Sequence, residues 1–261
     1  MLNMDTKLAK RQEEGKVIRT GIVGAGQMGR GMVTQMALMK GIMPAIVSDI
    51  KMDNVIHAFH YAGISDDQIA VAETLEEANK YMEMGKFVAT DHSDIIAQAN
   101  LVECAIDVTG VPEVGVKIAT DALKNHKHVV MMDVETDVVI GSYLKKLGDQ
   151  NGVIYTGSAG DEPGAVMELY SFAKAMGMQV KVITIDGIGG YTTYGSIATA
   201  EETYKNGYVV YGLVNKKTRM LKDVRKGQLL TLDMVELDTS TQLYQTRKMQ
   251  DRMYHNGYAL K

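Results

Sequence analysis

Four clusters in this 261-residue chain combine residue types at spacings that chemistry can use. The first is Gly24-Ala25-Gly26-Gln27-Met28-Gly29, entered from the apolar Gly21-Ile22-Val23 and followed by the helix-forming run Met32 to Lys40. In a Gly-x-Gly-x-x-Gly turn between strand and helix, Gly24 allows the tight turn, Gly26 admits a pyrophosphate, and Gly29 lets the helix pack close. The helix start, at Gln27 and Met28, offers N–H groups and a positive dipole end to phosphate. A second apolar run, Met43 to Val47, leads to Asp49, 23 positions after Gly26. That is near the spacing of about 20 for an acid on the adenosine ribose. Asp49 favours the free 2′-hydroxyl of NAD, whereas Lys51 offers a partner to the 2′-phosphate of NADP, so the cofactor expectation is NAD(P), unresolved between the two.

The other clusters each follow an apolar run. Asp107-Val108-Thr109-Gly110-Val111-Pro112-Glu113 could lie under the cofactor through Thr109, Gly110 and Pro112; the alternative is an ordinary strand-to-helix turn with proline in the first helical turn. In Asp133-Val134-Glu135-Thr136-Asp137, three carboxylates fall within five residues. Glu135 is the candidate acid or base, while helix capping accounts equally well for at least one of the three. Gly157-Ser158-Ala159-Gly160-Asp161-Glu162-Pro163-Gly164 adds Asp161 and Glu162 as proton-transfer candidates, although Asp161 also suits an N-cap.

Strands are expected at Ile18–Val23, Ala45–Asp49, Phe87–Thr90, Leu101–Asp107, His128–Met132, Val153–Thr156 and Gln179–Ile183. Amphipathic helices are expected between them, at Gly31–Met39, Met52–Tyr61, Leu75–Met84, Ser93–Ala99, Val114–Asn125, Val139–Gly148 and Ala165–Met176. Continuous apolar strands alternating with helices imply a parallel sheet covered on both faces. The fold class is therefore α/β, a Rossmann-type doubly wound sheet over residues 17–184, preceded by a mobile arm at 1–16. From 185 to 261 short β candidates (Val209–Val214, Thr218–Leu221, Gln228–Thr231) and a terminal helix from Thr239 to Tyr254 suggest a small, mostly-β domain.

Net charge is −4 with both signs interspersed, so neither nucleic acid nor anionic membrane is an expected partner. The single cysteine, Cys104, excludes an internal disulfide framework and fits a reducing cytosol; its apolar surroundings favour a core role over a nucleophilic one. Met1 to Lys16 is polar, and no apolar run approaches 18 residues, so secretion and membrane spanning are not expected and a cytoplasmic location is. The histidines show no zinc spacing, and the 19 methionines read as packing, so no metal site is expected.

Together, Gly24–Gly29, Asp107-Val108-Thr109-Gly110, Met132–Asp137 and Gly160-Asp161-Glu162-Pro163-Gly164 resemble the homoserine-dehydrogenase-like oxidoreductases, within them the deoxyxylulose-phosphate-reductoisomerase-like group. Leu221–Val235, with its basic-Gly turn at Val224-Arg225-Lys226-Gly227, resembles the signature of that group's C-terminal SAF (β-clip) domain, and Asp186–Thr192 its entry. Val134 stands where homoserine dehydrogenases carry lysine, which argues against homoserine as substrate. Val180–Ile183 runs almost directly into Ile185-Asp186-Gly187, where members usually insert a catalytic and dimerisation region.

The resemblance implies hydride transfer to or from a small hydroxy or carbonyl compound of the sugar-phosphate or sugar-acid class, with isomerisation as a possible companion step. Glu135, Asp161 and Glu162 would position the reacting hydroxyl. The shortened middle keeps a different class open, a non-catalytic NAD(P)-binding sensor or assembly protein. A third reading gives the function to the SAF-like domain as a carbohydrate- or partner-binding module. The expected partner is a small-molecule substrate, and the Gln- and Met-rich terminal helix is a candidate homodimer contact.

Overall fold

The structure, a computed structural model, describes residues 4–158, 164–178, 198–225 and 227–254. The chain divides into two compact units, residues 1–137 with 141–156, and residues 138–140 with 157–261.

The first unit opens with α1 (Met4–Glu13) and β1 (Ile18–Val23), then α2 (Gln27–Leu38), β2 (Ile42–Ser48) and α3 (Met52–Tyr61). It continues through β3 (Ile69–Val71), α4 (Leu75–Glu83), β4 (Phe87–Thr90), α5 (Asp94–Gln98), β5 (Cys104–Asp107) and α6 (Pro112–Lys124). β6 (His128–Met131), α7 (Val134–Gln150) and β7 (Tyr155–Gly157) follow. The sheet order is β3-β4-β2-β1-β5-β6-β7, and every pairing from β3 to β6 is parallel. With the short edge strand β3 set aside, that is the strand order of the dinucleotide-binding fold. The chain reverses its direction of travel between β1 and β5, so their carboxyl ends form the switch point where such sheets bind ligands.

Val33 of α2 and Val55 and Phe59 of α3 are fully buried with Ile22, Val47 and Ala89 of the sheet. At the opposite edge the buried Lys127 donates to the carbonyls of Ala99 (2.6 Å) and Val102 (2.8 Å), serving the carbonyl end of α5. Burial without a carboxylate partner holds its pKa below the usual lysine value.

The N-terminal arm contains a helix, α1, which meets Gly41 through Leu8 and Gln12. Gly41 makes this docking possible: its φ is 73°, and a Cβ there would lie 2.0 Å from the Leu8 carbonyl oxygen. The Gly41 N–H donates to Gln12 Oε1 at 2.7 Å. Strand β3 was absent from the sequence reading because its three residues are too few for an alternating pattern to register.

The second unit contains α8 (Gly164–Ala175), α9 (Ala200–Asn206), β8 (Arg219–Met220), β9 (Val235–Glu236) and α10 (Gln242–Tyr254). Among the described residues its β structure is one antiparallel pair of two-residue strands and a bridge from Tyr208 to Thr231. Val209–Val214, expected as a strand, contains instead a 3-10 turn at Tyr211–Leu213. Gln228–Thr231 contributes only the bridge. Among the described residues a small β domain is not evidenced beyond this pair and this bridge. The expected strand at Gln179–Ile183 and the expected boundary at 184/185 lie outside the described residues.

What orders this unit is a buried ionic network. Arg247 and Asp251, one helical turn apart on α10, pair at 2.7 Å, and Tyr204 of α9 donates to the same carboxylate oxygen at 2.7 Å. Arg247 also donates to Tyr204 Oη (2.9 Å) and to the Val139 carbonyl (3.0 Å), which Gln250 reaches too at 2.9 Å. Burial, reinforced by the Asp251 bond, pushes the Tyr204 hydroxyl up to about 12. Removing one partner strands a buried charge. Arg247→Ala should therefore lower unfolding free energy by about 3–5 kcal/mol in urea titrations, whereas Arg247→Met with Asp251→Leu should recover most of it. A loss near zero for the single variant would mean the network is solvated.

Candidate functional site

The glycine turn sits at the carboxyl end of β1 with each glycine in a distinct environment. Gly24 has φ 103° and donates its N–H to the Ser48 carbonyl at 2.7 Å, tying the turn to β2. A Cβ at Gly29 would lie 1.9 Å from the Gly24 carbonyl oxygen, so only glycine lets the first turn of α2 come this close. Gly26 differs. It is the N-cap of α2 and is exposed, and among the described residues nothing lies within 4 Å of where a Cβ would stand. No acidic residue occupies the first turn of α2, and Gln27 and Met28 are exposed beside Gly26. The site thus presents helix N–H groups to open space.

Asp49 lies at the end of β2, where its spacing predicts it. Its carboxylate is turned onto the turn itself: Oδ2 accepts from Ala25 N at 2.8 Å, and Oδ1 from Lys51 N (2.9 Å) and Asn54 Nδ2 (3.1 Å).

Across the switch point, β5 ends at Asp107, whose Oδ1 accepts from Thr109 N at 3.0 Å. Thr109 Oγ1 in turn accepts from Val111 N at 3.2 Å, Gly110 has φ 62°, and Pro112 opens α6. Val108 N donates to the Val23 carbonyl at 2.9 Å, and the Val108 carbonyl lies 3.0 Å from a Cβ built on Gly24. The structure thus brings Gly24–Gly29, Asp49 and Thr109–Pro112 to one mouth. Asp161 and Glu162 lie outside the described residues. Glu135 is half-buried in the first turn of α7, and Asp133 is the N-cap there, accepting from Thr136 N at 3.2 Å.

Beneath this mouth is an arrangement the sequence reading missed. Asp107, Asp133 and Thr136 are buried together against Gly115 of α6. A Cβ on Gly115 would meet Asp107 Oδ2 at 2.5 Å, Thr136 Oγ1 at 2.6 Å and Asp133 Oδ2 at 3.1 Å. Thr136 Oγ1 donates to Asp133 Oδ2 at 2.8 Å, while Asp107 Oδ2 has no hydrogen-bond partner among the described residues. Close by, Tyr155 donates to Asp137 Oδ1 at 2.7 Å, and burial with the Asp137 charge pushes its hydroxyl far up. Burial also raises the Asp107 carboxyl, and it pushes Asp133 up to about 6. Gly115 carries no motif signature, so no sequence pattern announces this packing.

The Cys104 thiol is pushed up to about 11 by burial, which leaves little thiolate at neutral pH and suits packing rather than attack. Among the described residues no group of three His, Cys, Asp or Glu is placed to hold a metal ion, and no helix is long and apolar enough to cross a membrane.

No protein-family profile matches the chain, and no curated protein matches it. Solved structures do. The chain is similar to a scyllo-inositol dehydrogenase from Lactobacillus casei, solved with NAD(H) and scyllo-inositol, at 16% identity over 61% of this chain and 42% of that one, with a TM-score of 0.42. For the WlbA dehydrogenase from Bordetella pertussis, solved with NADH and UDP-GlcNAcA, the figures are 18%, 62%, 42% and 0.44. For a probable dehydrogenase from Thermotoga maritima they are 12%, 61%, 41% and 0.46. The chain spans about two fifths of the length of these structures.

The buried carboxylates set a pH dependence. A carboxyl whose folded pKa is raised binds its proton more tightly folded than unfolded. Its stabilisation is therefore complete below the ordinary value of 3.8 and is lost as pH rises through about 6. The melting temperature should fall across that window, and Asp133→Asn, which keeps an acceptor for Thr136 N but does not titrate, should flatten the fall. Superimposable profiles would show that Asp133 does not titrate there.

Proposed function

We propose that the first unit binds NAD(P) across the mouth formed by β1, β2 and β5, and that the chain is an NAD(P)-dependent oxidoreductase acting on a small hydroxy or carbonyl compound. The observation that carries this reading is Gly26: an exposed glycine at an uncapped helix start, with open space where a side chain would be. In this reading the N–H groups at Gly26, Gln27 and Met28 take the pyrophosphate, Asp49 the adenosine ribose, and Thr109, Gly110 and Pro112 border the nicotinamide half. The bound nicotinamide supplies the hydride chemistry. The chain's own residues orient it and hold protons. Glu135 is the proposed group for the reacting hydroxyl, joined by Asp161 and Glu162.

The finer assignment, a homoserine-dehydrogenase-like oxidoreductase acting on a sugar phosphate or sugar acid, with an SAF-like segment at 185–261, is part of the same proposal. It rests on the motifs at Met132–Asp137, Gly160–Gly164 and Leu221–Val235.

Titration with NADH and NADPH, followed by nicotinamide fluorescence, tests the cofactor site directly, since the chain has no tryptophan to interfere. Gly26→Ala separates binding from folding. At φ −68° alanine is tolerated and meets no neighbour, so the melting temperature should hold. A methyl group in the pyrophosphate's place should weaken binding at least about tenfold. Gly29→Ala should instead lower the melting temperature, because its Cβ must displace the Gly24 carbonyl. Binding that is indifferent to Gly26→Ala would remove the phosphate role. Binding without turnover on any hydroxy acid or sugar phosphate would favour the non-catalytic alternative.

A further inference from the structure

The dinucleotide reading leaves the choice between NAD and NADP open, and the hydrogen bonds around Asp49 bear on it. An ionised carboxylate accepts about four hydrogen bonds. Three are taken by the chain itself: Ala25 N on Oδ2, and Lys51 N and Asn54 Nδ2 on Oδ1. One acceptor position is left, on Oδ2.

The three donors come from three places, the glycine turn, the segment after β2, and the first turn of α3. Two are backbone N–H groups that follow the course of the chain. Among the described residues Asn54 is the only side chain that holds this carboxylate. Asn54 is half-buried, and the Lys51 side chain is exposed.

We infer that Asn54 is a positioning residue that locks the Asp49 carboxylate in the orientation that selects NAD over NADP. The inference rests on the dinucleotide reading above. A ribose 2′-hydroxyl can donate to the remaining lone pair of Oδ2. A 2′-phosphate carries two negative charges, has no donor to offer, and meets a fixed carboxylate instead. Relief requires Asp49 to swing away, which breaks the bonds from Asn54, Lys51 N and Ala25 N together. The last of these also anchors the turn that receives the pyrophosphate. Without Asn54 the carboxylate is held on one edge only by backbone, and it can rotate toward solvent while Lys51 remains available to a phosphate.

The test compares dissociation constants for NADH and NADPH in the full chain, in Asn54→Ala and in Asn54→Leu, with melting temperatures alongside. Leucine keeps the branched outline of asparagine, at somewhat greater volume, without its donor, so a packing effect would separate the two variants and a donor effect would not. The wild-type chain should prefer NADH. In both variants the NADPH-to-NADH ratio should fall by about tenfold or more, the range expected for one hydrogen bond to a charged group. The readout is the ratio, because general loosening of the site weakens both cofactors alike. A wild-type preference for NADH that persists unchanged in both variants overturns the role of Asn54 and leaves the dinucleotide reading standing. A wild-type preference for NADPH also overturns it. If the wild-type chain binds neither cofactor, the dinucleotide reading itself fails, and this inference with it.

Discussion

The first turn of α2 reaches the sheet because Gly29 has no side chain. A single carbon added there would fall 1.9 Å from the Gly24 carbonyl oxygen, well inside any tolerable contact. Gly24 has φ 103°, a conformation that disfavours any other residue, and its N–H donates to the Ser48 carbonyl of β2. The close approach delivers the start of α2 directly above the end of β1, with Gly26 facing outward. The shape of the mouth follows from that one contact: helix pressed onto turn, turn tied to β2, and Asp49 closing the circuit by accepting from Ala25.

The opposite side of the switch point is organised by a second close approach, and a more expensive one. Gly115 lets α6 settle against three oxygens, those of Asp107, Thr136 and Asp133. Burying carboxylates this near to one another is unfavourable unless at least one is protonated, which is the sense of their raised pKa values. The return is positional. Asp107 holds Thr109 N, and Thr109 holds Val111 N, so the loop from β5 to α6 is hydrogen-bonded along its length. Asp133 meanwhile caps α7. Both loops that flank the mouth on this side are therefore pinned from below by buried acids rather than from above by exposed ones.

Local features were legible in the sequence and long-range ones were not. The glycine run, the spacing to Asp49 and the apolar strands β1, β4 and β5 are written in neighbouring residues, and the structure places them as their patterns imply. Asp133 as an N-cap was also foreseeable, since capping needs only a carboxylate before a helical run. The carboxylate cluster was not, because it depends on Gly115 from another helix coming within reach, and one glycine in an amphipathic stretch has no signature. Docking of α1 failed to register for the same reason: it turns on Gly41, 33 residues from Leu8 in the chain. The C-terminal region misled in the other direction. Val209–Val214 is apolar enough to read as a strand, but a strand also needs a partner in register, and Tyr208 and Thr231 supply one bridge only.

Asp49 and Asp107 show how the same side chain serves opposite ends of this design. Each ends a strand beside the switch point, and each accepts from the N–H of residue i+2, Lys51 in one case and Thr109 in the other. Their surroundings separate them. Asp49 is partly exposed, and its carboxylate accepts from three donors. Asp107 is 1% exposed, with Oδ2 unpartnered among the described residues, conditions that favour the neutral acid. The first holds the glycine turn through Ala25 N, and the second holds the loop from β5 to α6 through Thr109 N. A motif search that scores both as an acid after a strand cannot tell them apart; the helix behind each one does, α3 offering Asn54 as a donor and α6 offering only the bare Cα of Gly115.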